Sequence, residues 1–80
     1  MAEVWRQDGF VFRIYSDDHV PSHVHVLKAG DEALIYIGDK DTKPSVRKNR
    51  GLKTKDLHRA LKIAAEQQEV LLAEWRRIHG

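Results

Sequence analysis

Apolar and polar positions alternate strictly through Phe10–Tyr15, setting Phe10, Phe12 and Ile14 on one side and Val11, Arg13 and Tyr15 on the other. A period of two marks a strand whose faces differ. The pattern returns in His23–Lys28 (HVHVLK) and Glu32–Ile37 (EALIYI), while Val4 and Trp5 extend the first strand backwards through a turn at Gln7-Asp8-Gly9. Ala29-Gly30-Asp31 has hairpin chemistry, because Gly30 takes a positive φ at no steric cost. A tight turn centred on Ala29-Gly30 sets His25 opposite Leu34, His23 opposite Tyr36 and Leu27 opposite Glu32. Val24 and Val26 then join Ala33, Ile35 and Ile37 on one aliphatic face, and the histidines point away from it.

The segment Gly38–Leu52 is rich in charge and turn formers. Pro44 bars a central strand there, but Ser45–Lys48 can add a short fourth strand at an edge, followed by a turn at Asn49-Arg50-Gly51. From Thr54 the period lengthens. Thr54 is the expected N-cap, with Asp56 favourable in the first turn. Leu57, Leu61, Ala64, Leu71, Leu72, Trp75 and Ile78 then recur at helical spacing. One uninterrupted helix of about 25 residues would be about 38 Å long, which exceeds so small a sheet. Either its C-terminal half overhangs and meets a partner, or it breaks near Glu66-Gln67-Gln68. Trp75 is read as core. The architecture expected is one α+β domain over residues 1–80: a small antiparallel sheet of three to four strands (about 3–48) packed on a long C-terminal α-helix (about 54–79).

Composition narrows the function. With 80 residues the chain buries a modest core, and the lack of cysteine excludes disulfides, cysteine-ligated zinc and thiol nucleophiles. No leader pattern opens the sequence and no apolar run is long enough to span a bilayer, which predicts a cytoplasmic protein with no membrane partner. The net charge of +2 hides an asymmetry: nine basic residues lie between Lys40 and Lys62 against Asp41 and Asp56, so this window carries +7 and the rest −5. Such a block suits a nucleic-acid backbone or an acidic protein, and equally a solvated surface.

Several motifs carry a resemblance. Tyr15–Val26 reads Tyr-Ser-Asp-Asp-His-x-Pro-x-His-Val-His-Val, followed by Gly-Asp-Glu-Ala, by Arg-Lys-Asn-Arg-Gly-Leu (Arg47–Leu52) and by Leu-Leu-x-x-Trp (Leu71–Trp75). Nearly the whole chain resembles the bacterial family known as domain of unknown function 4160. It departs at Ser22, where that family usually has a second proline after Pro21. The resemblance implies a gene partner of the domain of unknown function 2442 family, an arrangement similar to a type II toxin–antitoxin module with this chain as the toxin.

Two chemistries fit the histidines. A metal-free ribonuclease needs an acid, a base and cations: His23 and His25, with His19, supply the proton transfers, and Arg47, Lys48 and Arg50 the phosphate contacts. This requires the basic segment and the histidines to converge within about 10 Å. No metal and no cofactor is favoured. The alternative is a non-catalytic metal-binding or interaction module, for which His19, His23 and His25 with Asp18 form the ligand set, since His-x-His puts two imidazoles on one strand face. Against both stands a plain reading: His23 and His25 half-exposed beside Tyr36 and Leu34, with Asp17 and Asp18 accepting turn amides. The expected partners are a small antitoxin-like protein, RNA, and a second copy through the C-terminal helix.

Overall fold

A computed structural model describes residues 2–80. Five strands, not three to four, form one antiparallel sheet in chain order: β1 (Ala2–Gln7), β2 (Phe10–Ile14), β3 (His23–Lys28), β4 (Asp31–Tyr36) and β5 (Ser45–Arg50). Two-residue turns close the first and third connections. Asp8 and Gly9 have φ of 53° and 83°, Ala29 and Gly30 have 51° and 87°. Paired positive φ values give the turn whose twist matches that of the flanking strands. The second turn fixes the register expected from sequence, with His23 opposite Tyr36, His25 opposite Leu34 and Leu27 opposite Glu32.

That register sends Phe10, Phe12, Ile14, Val24, Val26, Ile35 and Ile37 to a fully buried layer. The helical segment covers it through Ala60, Ile63, Ala64, Leu71 and Trp75. Ion pairs pin its first half to the sheet: Lys28 Nζ lies 3.1 Å from Asp56, and Arg59 holds Asp8 in the first turn.

The helix is broken, as one of the two sequence readings requires. Helix α1 spans Thr54–Glu66 and α2 spans Gln68–His79. Between them Gln67 leaves helical geometry (φ −107°, ψ 19°). The cause is a tether: Gln68 Nε2 donates to the carbonyls of Ile37 (2.8 Å) and Thr42 (3.0 Å), drawing the start of α2 to the end of β4. The single long helix is thereby corrected, and its apolar end does not overhang, since Leu71 is fully buried and Trp75 only 7% exposed. The N-cap is also one residue earlier than expected. Lys53 occupies it with no side-chain cap, and Thr54 is the first helical residue. Asn49 sets this entry by accepting from the Leu52 amide and donating to the Leu52 carbonyl, both at 2.9 Å.

Gly38, two residues past β4, has φ +72°, and a Cβ there would sit 2.2 Å from the Thr42 carbonyl oxygen. Gly38→Ala is expected to cost about 1–2 kcal/mol from the left-handed backbone alone, more if the Thr42 loop resists the clash. Urea unfolding checks this; a loss below about 0.5 kcal/mol, within the range of an ordinary surface change, would contradict it.

Candidate functional site

The polar face of the sheet holds a chain of charged and hydrogen-bonding groups. Its centre is Asp18, in the loop between β2 and β3, whose Oδ2 accepts from the Tyr15 amide at 2.9 Å. This short loop-closing bond turns the carboxylate back over β3. Its Oδ1 lies 3.0 Å from His25 Nε2 and 3.5 Å from His23 Nε2. The two histidines share a face because they are two residues apart on β3, and their rings sit with centroids 5.4 Å apart. Tyr15 packs edge-on against His25, centroids 4.5 Å apart.

Each imidazole is oriented through its Nδ1. His23 Nδ1 lies 3.0 Å from the Pro21 carbonyl oxygen, which can only accept, so Nδ1 carries the proton and Nε2 presents its lone pair. Arg47 Nη1 donates to that lone pair at 3.3 Å. His25 Nδ1 faces Glu32 Oε2 at 3.2 Å, and Glu32 Oε1 in turn accepts from Arg50 at 3.3 Å. His25 thus lies between two carboxylates, and it donates to both only when both ring nitrogens carry protons.

The site is largely sealed. His23 is 2% exposed, and the side chains of Asp18 and His25 are 12% and 14% exposed. Trp75 of α2 closes on His23 with ring centroids 5.4 Å apart, and His79 stacks on Trp75 at 3.9 Å. The half-exposed position expected for His23 is therefore corrected: α2 reaches it. Burial alone would raise the Asp18 carboxyl, but the Tyr15 amide and His25 outweigh it and hold the group below the ordinary aspartate value.

The basic strand converges on this face. A bulge in β5 falls opposite Leu34 and Ile35, so that Lys48 pairs with Leu34, Val46 with Ile35, and Arg47 is the extra residue. A bulge re-aims side chains, and here Arg47 reaches His23 while Arg50 reaches Glu32. All six β5 residues are exposed, Lys48 among them. His19 does not join. It is exposed, and the ligating atoms that come within 4.8 Å of one another belong to Asp18, His23 and His25. Glu32 was not among the residues singled out in the sequence. The Ala29-Gly30 register does place it diagonal to His25 on the same face, which is the signal that would find it.

Both ring nitrogens of each histidine are engaged in this arrangement, His23 by Pro21 and Arg47 and His25 by Glu32 and Asp18. A surface groove of about 590 Å³ lies elsewhere, between the Asp39–Asp41 loop and Gln68, Leu72 and Arg76 of α2. Its walls mix acids and bases, whereas the donor atoms converge at Asp18, His23 and His25.

Fold and site together define a small α+β protein: an antiparallel meander backed by a broken C-terminal helix, with a His-x-His strand locked to a loop aspartate. The family described as domain of unknown function (DUF4160) matches residues 9–76, and the chain belongs to it. No curated protein and no solved structure matches the chain. Among the described residues, no helix is long and apolar enough to cross a membrane.

Proposed function

We propose that this protein is the toxin-like half of a two-component module and that it engages RNA through β5. The observation that carries this reading is the edge strand itself: six exposed residues bearing Arg47, Lys48 and Arg50 beside the histidine face. Lys43, Lys53 and Lys55 are exposed on the flanking segments, extending the positive surface. Single-stranded RNA is held by such a stripe mainly through phosphate contacts. The burial of Trp75 favours this reading over a protein that works only by exposing an apolar helix end. The toxin role rests on the gene pairing that the family resemblance implies, with a small antitoxin-like protein as the partner and the cytoplasm as the compartment.

The test joins a binding measurement to a growth assay. Three phosphate contacts give a slope of about −2 for log affinity against log salt on single-stranded RNA. Arg47→Glu, Lys48→Glu and Arg50→Glu combined are expected to flatten that slope and lower affinity at least tenfold. Induction of the unaltered chain alone should arrest a bacterial host, with rescue by the neighbouring gene. RNA binding that ignores both salt and the triple change would end the β5 reading, and unimpeded growth would end the toxin reading.

A further inference from the structure

We infer that Asp18, His23 and His25 form a binding site for one borderline-soft divalent ion of the Zn²⁺ class, with Glu32 as the positioning residue behind His25. Three observations carry it. First, Asp18 Oδ1 stands 3.0 and 3.5 Å from the two Nε2 atoms, and all three atoms lie within 4.8 Å of one another. Ligand atoms at about 2.0–2.1 Å around a tetrahedral ion are spaced by about 3.3 Å, close to the two Asp18–imidazole spacings.

Second, the outer contacts are those that metal-binding imidazoles use. A ligating histidine donates its other N–H to a carbonyl or a carboxylate, which fixes the ring and raises its basicity. Here His23 Nδ1 is held by the Pro21 carbonyl and His25 Nδ1 by Glu32, leaving both Nε2 atoms aimed at the same carboxylate oxygen. Third, these donors are nearly withdrawn from water, and Trp75 walls the His23 side. A carboxylate and two imidazoles with restricted access suit a transition ion better than Mg²⁺ or Ca²⁺, which prefer oxygen ligands.

The Arg47 guanidinium lies 3.3 Å from His23 Nε2, the atom that would bind the ion. Binding would displace it. Three protein ligands leave a fourth position for water or an anion, as in catalytic rather than structural zinc sites. The displaced Arg47 would lie next to that position. The inference stands independently of RNA binding, because it needs no residue of the phosphate stripe as a ligand.

The experiment titrates the tag-free, chelator-stripped chain with Zn²⁺ alone by calorimetry, and with Co²⁺ by visible absorption. One ion per chain is expected, with a low-symmetry Co²⁺ spectrum. Asp18→Ala and His25→Ala should each lower affinity by roughly 100-fold or more. Glu32→Gln, which keeps every ligand, should lower it about 10–100-fold, the usual effect of losing a supporting carboxylate. Arg47→Ala should tighten binding several-fold, since it removes a competing cation, and His58→Ala, an exposed α1 histidine, should leave it unchanged. Circular dichroism reports folding of each variant, and Glu32→Gln decides the matter if the ligand variants unfold. No binding by either the unaltered chain or Arg47→Ala would overturn the site. So would affinity that survives Glu32→Gln intact, or that survives Asp18→Ala and His25→Ala in folded variants.

Discussion

Trp75→Ala is expected to lower unfolding free energy by about 3–5 kcal/mol, the usual cost of emptying a large buried aromatic position. A chain of this length has a total stability of roughly 4–12 kcal/mol, so the variant should be partly unfolded at 37 °C. The indole is only 7% exposed, packs within the core cluster and carries ring contacts to His23 and His79. Its removal opens the wall of the candidate site as well as the core. Urea unfolding followed by circular dichroism measures the loss, and Trp75→Phe should recover more than half of it. A loss below 1 kcal/mol would mean that α2 does not pack as described.

The second large effect concerns Asp18. Asp18→Ala in chelator-containing buffer is expected to cost about 2–3 kcal/mol at neutral pH. The charge-assisted bond to His25 is lost, and the Tyr15 amide is left without its acceptor. The groups facing this carboxylate are His23 and His25, with Glu32 and Arg47 one step further out. Because the folded-state value of Asp18 lies below its unfolded value, its contribution is present in full above the unfolded aspartate range. That contribution is lost as pH falls through the folded value. The stability gap between the unaltered chain and Asp18→Ala should therefore be widest near neutrality and narrow steadily below about pH 4. A gap independent of pH would show that the carboxylate's charge is not what stabilises the loop.

Much of the sheet was legible because its signals are local. Strict alternation in β2 and β3, with Ala29-Gly30 between β3 and β4, defined faces and register correctly. The weak points were the edges. In β1 a bulge between Glu3 and Trp5 breaks the alternation, and β5 has no buried side at all, so neither carried a clear period. The helix break was one of two alternatives because no glycine or proline marks it. It depends on Gln68 reaching carbonyls 26 and 31 residues away in the chain. The site follows the same division. Asp18, His23 and His25 lie within eight residues and could be grouped from spacing, whereas the Trp75 wall comes from a distant helix. His19 belongs to the same dense stretch but falls on the outer side of the loop, a difference that spacing does not encode.

The meander leaves two strands with one unpaired margin each, β1 and β5. Such margins are templates for further strands and invite self-association. On β5 the invitation is withdrawn by Arg47, Lys48 and Arg50: a second copy laid alongside would bring three cations against three. On β1, Glu3 and Arg6 keep an exposed ion pair in the same role. The residues assigned to phosphate contact are therefore also what keeps this chain from growing into ribbons, and apolar replacements in β5 would trade RNA affinity for aggregation. Reversal to glutamate preserves like-charge repulsion along the strand, so loss of RNA binding in that variant can be separated from loss of the monodisperse chain.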